Sequence, residues 1–212
     1  KKLYLEPYSF ENLRNCVITF EEGRKIIERK SFFNCAVRDR RGEETVKITL
    51  PSSVRTLQKE AFFQEWSLTL KLKLNEGLKV VGEAALSGTH AKLPSTVKAL
   101  GKEALGNWWY TDEEDYDEVV LPEGLEEIGD GCISVEWSKR RIHIPASVKK
   151  IGYCFLSYGD IPYAGGVEVD KNNPYFKSNS KGWLFSKDGT VLYYASSFKG
   201  DLVVPNTVKK IM

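Results

Sequence analysis

The stretch Val-Val-Leu-Pro-Glu-Gly-Leu-Glu-Glu-Ile-Gly at residues 119–129 is echoed at 143–152 by His-Ile-Pro-Ala-Ser-Val-Lys-Lys-Ile-Gly. Each places an apolar residue and a proline before a two-residue turn, an aliphatic residue three places on, an isoleucine six places on and then a glycine. The phrase recurs at Thr49-Leu50-Pro51 with Val54 and Leu57, at Lys92-Leu93-Pro94 with Val97 and Leu100, and at Val203-Val204-Pro205 with Val208 and Ile211. Two worn copies, Thr19-Phe20-Glu21 with Ile27 and Lys73-Leu74-Asn75 with Leu78 and Val81, bring the total to seven. Self-similarity at such a period means a solenoid, in which each unit buries its apolar edge only against its neighbours. This architecture argues against a compact enzyme.

Counting from the proline position, the marks fall at residues 21, 51, 75, 94, 122, 145 and 205. Positions −3 and −1 are apolar in all seven copies, from Ile18/Phe20 to Leu202/Val204. That alternation predicts a half-buried strand, and proline, lacking an N–H, stops it. Behind the turn, position +3 is Val54, Leu78, Val97, Leu125, Val148 and Val208, with Arg24 the exception, and position +6 is aliphatic throughout. Gly82, Gly101, Gly129 and Gly152 follow, suggesting a backbone corner without room for a side chain. A small residue then precedes a bulky one, as in Ser31-Phe32, Ala61-Phe62 and Cys132-Ile133; the sixth copy reads one residue short, as Cys154-Phe155.

The phrase, roughly Val-x-Ile-Pro-x-Ser-Val-x-x-Ile-Gly-x-x-Ala-Phe, resembles the BspA-type leucine-rich repeat over residues 17–156 and 201–212. Glu21, Arg24 and Asn75 depart from that consensus. The expected fold class is thus a leucine-rich repeat solenoid, right-handed and curved, predominantly β with short helical or 3-10 returns. It forms a single module over residues 1–212, interrupted by a strand and β-hairpin segment at 157–201. The hairpin is read from Lys187-Asp188-Gly189 between Gly182–Ser186 and Thr190–Ala195, because Asp-Gly between alternating apolar runs is a strong short-range turn signal. The segment is expected to pack over the solenoid and re-enter it at Leu202, with Trp183, Phe185, Leu192 and Tyr194 on its buried side.

A net charge of +2, from 31 basic and 29 acidic residues, gives no bias toward nucleic acid or anionic lipid. No apolar run reaches the roughly 18–20 residues of a membrane span. The chain starts without Met and ends within a phrase, which reads as a fragment or mature segment. Cys132 and Cys154 fall in the small-residue column of adjacent coils, about 4.8 Å apart by strand spacing; a bridge is conceivable, a pair of buried thiols simpler. Cys16 and Cys35 are not expected to pair.

No cofactor, metal centre or catalytic constellation is expected. The two histidines, His90 and His143, lie on different coils without a third ligand. The acidic run Asp112–Glu118 lacks the spacing of a calcium loop. Two surfaces are candidates for binding. The outward residues of the strand ladder, Lys47, Lys71, Lys73, His90, Lys92, Arg141 and His143, stack into a basic stripe suited to an acidic protein or a sulfated glycan. Outward charge also serves simply to keep sheet edges from pairing. A second basic column runs through Lys25, Arg55, Lys79, Lys98, Lys149 and Lys209. The other surface is Trp108-Trp109-Tyr110, able to stack on a sugar, anchor a protein contact or fold back onto the core.

The expected function is non-catalytic protein–protein recognition or adhesion. The alternatives are a carbohydrate-binding accessory module using Trp108, Trp109 and Tyr110, or a passive spacer. The family resemblance implies a bacterial cell-surface or extracellular location and a host extracellular protein among the possible partners.

Overall fold

Each copy of the phrase folds as one coil, and successive coils stack in parallel register. The computed structural model describes residues 4–36, 45–65, 70–89, 91–106, 119–134, 141–157, 165–195 and 203–212. The leading strands β1 (Cys16–Thr19), β3 (Val46–Thr49) and β5 (Leu70–Lys73) form one parallel sheet, with Ile18 beside Ile48 and Ile48 beside Leu72. Behind the turn, β2 (Ile26–Ile27), β4 (Thr56–Leu57), β6 (Val80–Val81), β7 (Ala99–Leu100), β8 (Glu127–Ile128) and β11 (Lys150–Ile151) form a six-stranded parallel sheet. On the return side β9 (Ile133–Ser134) pairs with β12 (Leu156–Ser157).

The spine between these sheets is the set of columns read from the sequence. Ile27, Leu57, Val81, Leu100, Ile128 and Ile151 at position +6 are buried, as are Val54, Leu78, Val97, Leu125 and Val148 at +3. Full burial of one such aliphatic side chain contributes about 2 kcal/mol. Phe32 and Phe62 stack at 4.9 Å between ring centroids, and Phe33 on Phe63 at 4.8 Å, so the first coils carry two aromatic ladders on the return side.

The glycines after position +6 are required by close approach. A methyl group on Gly129 would fall 2.6 Å from the carbonyl oxygen of Gly101 and from the amide nitrogen of Lys102, and one on Gly82 would fall 2.7 Å from the Leu57 carbonyl oxygen. Consecutive coils rest on one another's backbone there.

The returns differ from the expected helical or 3-10 pieces: among the described residues they are turns and short bridges without a helix. The reason lies at position +9. Lys30, Glu60, Ala84, Glu103, Gly131 and Cys154 all take positive φ, between 43° and 56°. The left-handed residue at position +9 of each of these coils reverses the chain and ends any right-handed helical run.

This column also corrects the frame of the sixth copy, which is not short. Cys154 holds the left-handed corner and is exposed, while Phe155 takes the buried small-residue position, its carbonyl accepting from Ile133 N–H at 2.8 Å. Cys132 and Cys154 therefore do not share a column, and all four cysteines are free thiols.

The segment after the sixth coil stacks in line with the solenoid. Strand β13 (Val167–Val169) pairs in parallel with β10 (Ile142–Ile144) and so continues the leading-strand ladder. Strands β14 (Phe176–Ser178), β15 (Leu184–Ser186) and β16 (Val191–Tyr194) form an antiparallel meander, and β17 (Lys210–Ile211) of the last copy pairs in parallel with β16. The Asp-Gly turn takes the place of a coil turn. Gly189 N–H donates to Ser186 O at 2.9 Å as Val208 does to Pro205, and Thr190 O accepts from both Lys209 and Lys210 as Lys25 O does from Arg55 and Thr56. Trp183, Phe185, Leu192 and Tyr194 are all buried but on two sides: the first three form a small cluster with Val208, while Tyr194 joins the main core against Phe155. The bulge between Leu184 and Phe185 accommodates this division.

Candidate interaction surface

Strand alternation decides which side chains the solenoid presents. In β1, β3 and β5 the inward residues fill the core, leaving Val17, Thr19, Lys47, Thr49, Lys71 and Lys73 exposed on the outer face. The register sets Lys47 directly beside Lys71, and Thr49 beside Lys73. Lys92 is exposed at the equivalent place of the fourth coil. Like charges held on adjacent strands repel and are stable only where water reaches them.

The stripe does not continue as a basic surface to its far end. Val120 interrupts it at 66% exposure, Arg141 donates through Nη2 to the Ser180 carbonyl at 2.6 Å, and His143 lies between Glu123, 3.7 Å from its Nε2, and Glu168 on the neighbouring strand. His90, Trp108, Trp109, Tyr110 and the acidic run at 112–118 lie outside the described residues.

The basic column of the six-stranded face is neutralised in part. It includes Glu126, which ion-pairs with Lys149 at 2.8 Å and Lys98 at 3.6 Å; both lysines hold the Glu126 carboxyl below its ordinary value, Lys149 most strongly. Lys59 and Glu83 pair at 2.8 Å, Lys30 and Glu60 at 3.3 Å. Among the described residues no ion pair is formed by Lys47, Lys73 or Lys92. Which lysines meet a carboxylate could not be read from composition, because pairing depends on which coil abuts which. Also among the described residues, no three or more His, Cys, Asp or Glu side chains gather as a metal site, and no helix is long and apolar enough to cross a membrane.

Six copies of the BspA type leucine rich repeat region match residues 40–160, more than half of the 212-residue chain. The chain belongs to the BspA-type leucine-rich repeat family. Among solved structures it is similar to the pneumococcal vaccine antigen PcpA, at 20% identity and a TM-score of 0.56, over 97% of this chain and 52% of that one. It is also similar to a leucine-rich cell surface protein from Faecalibacterium prausnitzii A2-165, at 19% identity and a TM-score of 0.52, over 91% of this chain and 58% of that one. No curated protein matches. The chain thus spans little more than half the length of these solved BspA-like relatives, and at such identities the likeness is one of fold.

One contact of the BspA-type stack escaped the sequence reading: Glu168 beside His143.

Proposed function

We propose that this chain is a non-catalytic recognition module of a bacterial surface protein, binding an acidic protein partner through Lys47, Lys71, Lys73 and Lys92. The observation that carries the reading is the in-register pair Lys47 and Lys71, with Lys73 two residues along the same strand, all exposed on the outer face of the leading strands. Surface placement is supported by the family and by the descriptions of the two solved relatives, one a vaccine antigen and one a cell surface protein. The mechanism is area-based: a preformed sheet face binds without a folding cost, and charge speeds and orients the encounter.

The test is biolayer interferometry against a panel of purified extracellular-matrix and serum proteins, at low and physiological salt. Replacing Lys47, Lys71, Lys73 and Lys92 together by Ser is expected to abolish binding to acidic members, and added salt to weaken the parent chain's binding. Exposed substitutions of this kind change stability by only about 0.5 kcal/mol each, so the fold survives. Binding that ignores both the substitutions and salt would remove the lysine face from the mechanism, and binding only to heparin would replace the protein partner by a sulfated glycan.

A further inference from the structure

On the six-stranded face, position +4 of the first four coils is Lys25, Arg55, Lys79 and Lys98, all exposed. Their backbones stack directly: Lys25 O accepts from Arg55 N–H, Arg55 O from Lys79 N–H and Lys79 O from Lys98 N–H, each at 2.8 Å. One cation therefore stands on every rung, about 4.8 Å from the next, and the row runs about 14 Å along the solenoid axis. Beside it lies an uncharged row, Ile26, Thr56, Val80 and Ala99, paired in the same register. Beyond that, position +8 is Arg29, Lys59, Glu83 and Lys102, with Lys59 and Glu83 paired at 2.8 Å. Residues 24–30, 54–60, 78–84 and 97–103, all described, hold nine basic and four acidic side chains, a net +5 in a chain whose total is +2.

Two of the four cations are fixed in place by backbone. Arg55 donates through Nη1 to Ser52 O at 2.7 Å and Val54 O at 3.0 Å, and Lys98 donates through Nζ to Gly124 O at 2.9 Å. A carbonyl orients a cation without cancelling its charge, so these side chains are ordered before any ligand arrives. The row ends at the fifth coil, where Glu126 and Glu127 take positions +4 and +5 and Glu126 approaches Lys98 at 3.6 Å.

We propose that Lys25, Arg55, Lys79 and Lys98 bind a linear sulfated glycan laid across the strands, along the solenoid axis. The spacing selects the class. An extended chain of pyranose sugars advances by close to one strand spacing per sugar, so each rung meets one sugar. A cation on every rung calls for an anionic group on nearly every sugar, which sulfation supplies and a glycan of alternating neutral and acidic sugars does not. An extended acidic peptide is out of step, since its same-side carboxylates recur at about 6.6 Å. Residues 25–29, 55–59, 79–83 and 98–102 include no aromatic ring on which a nucleic acid base could stack. Thr56 and Ala99 are too short to enter a bilayer. This face is separate from that of Lys47, Lys71, Lys73 and Lys92, which lies on the leading strands.

The probe is a fluorescent heparin octasaccharide, with a hyaluronan octasaccharide as its unsulfated counterpart. Saturable binding of the heparin probe is expected, with at least about tenfold weaker binding of hyaluronan. Lys25→Gln combined with Lys79→Gln leaves the Arg55 and Lys98 hydrogen bonds intact. It is expected to weaken heparin binding about tenfold and to lower the slope of log affinity against log salt by about two. If that variant does not fold, protection of Lys25 and Lys79 from acetylation in the unaltered chain, with Lys47 and Lys73 unprotected, decides alone. The variant with Ser at positions 47, 71, 73 and 92 is expected to bind the probe as the parent does, so this site and the acidic-partner reading fail separately. The proposal is overturned by absence of saturable binding up to millimolar probe, by equal binding of the two octasaccharides, or by an unchanged affinity in the folded Gln variant. Loss of binding in the Ser variant alone would move the glycan to the leading strands. Tighter binding to phosphatidylglycerol vesicles or to single-stranded RNA would replace the glycan by a membrane or a nucleic acid.

Discussion

Glu22 on the turn of the first coil grips Ser52 on the turn of the second, one carboxylate oxygen accepting from Ser52 N–H at 2.9 Å and the other from its hydroxyl at 3.0 Å. Ser53 completes the clasp by donating its N–H to Glu22 at 3.1 Å while its hydroxyl accepts from Gly23 N–H and donates to Arg24 O. Glu76 and Ser95 repeat the arrangement between coils three and four, where Thr96 plays the part of Ser53. Glu-Gly turns alternate with Ser52-Ser53, Ser95-Thr96 and Ala146-Ser147 over the first six coils, and the first two of these pairs are clasped in this way.

The clasp makes stability depend on pH. The Ser52 N–H, foremost among the Ser52 and Ser53 groups around it, holds the Glu22 carboxyl below its ordinary value of 4.5. A carboxyl whose folded value is depressed contributes fully above its unfolded value and loses that contribution as pH falls through the folded one. The melting temperature is therefore expected to drop between about pH 5 and pH 3, and Glu22→Gln to make that drop shallower. Equal slopes for the two chains would show that the clasp carries no proton linkage.

Gly129 is a point of close backbone contact between coils, and Gly129→Ala is expected to cost about 3 kcal/mol, read from the urea midpoint. Its surroundings are the backbone of Gly101 and Lys102, which cannot rotate away as a side chain would. Gly131→Ala nearby tests a different cause, since that residue has φ of 53° and only the end of the Glu103 side chain near its absent methyl. About 1 kcal/mol is expected there, from left-handed strain alone.

Asn173 closes the sixth coil from within the core. Its amide donates to Pro145 O at 2.9 Å and Val148 O at 3.0 Å and accepts from Tyr175 and Phe176 N–H, both at 2.8 Å. Asn173→Leu takes this partner from the buried Val148 O and Phe176 N–H and the half-buried Tyr175 N–H, while Pro145 O keeps Val148 N–H at 3.2 Å; a loss of about 3 kcal/mol is expected at roughly 1–3 kcal/mol per unsatisfied group, less partial rehydration. Amide exchange should accelerate first at residues 175 and 176.

The thiols should divide by position in the coil. Burial pushes both Cys35 and Cys132 up to about 12, whereas Cys154 stands exposed at its corner. Because the thiolate is the reactive form, a maleimide should label Cys154 in the native protein, and Cys35 and Cys132 only after denaturation. Peptide mass mapping reads this directly; native labelling of Cys132 would contradict its place in the core.

Much of the fold was legible because burial in a solenoid is local and periodic. Val54, Leu78, Val97, Leu125 and Val148 occupy one column in the chain and one column in space, since each coil meets only its neighbours. The lysine face was legible only by halves. Alternation places Lys47 and Lys73 outside, whereas the neutralisation of Lys98 and Lys149 by Glu126 emerges only from contacts between coils.

What the amino-acid order determined by itself was the spine: a strand, a turn and two buried aliphatic columns, dictated by alternation, proline and the aversion of those side chains to water. What the tertiary structure decided was everything that depends on backbone meeting backbone at a distance. The left-handed corner at Cys154 and the Asp188-Gly189 turn standing in for a coil both follow from hydrogen bonds between segments far apart in the chain. Backbone donors and acceptors are the same for nearly every residue, so the letters of the sequence do not say which of them will meet.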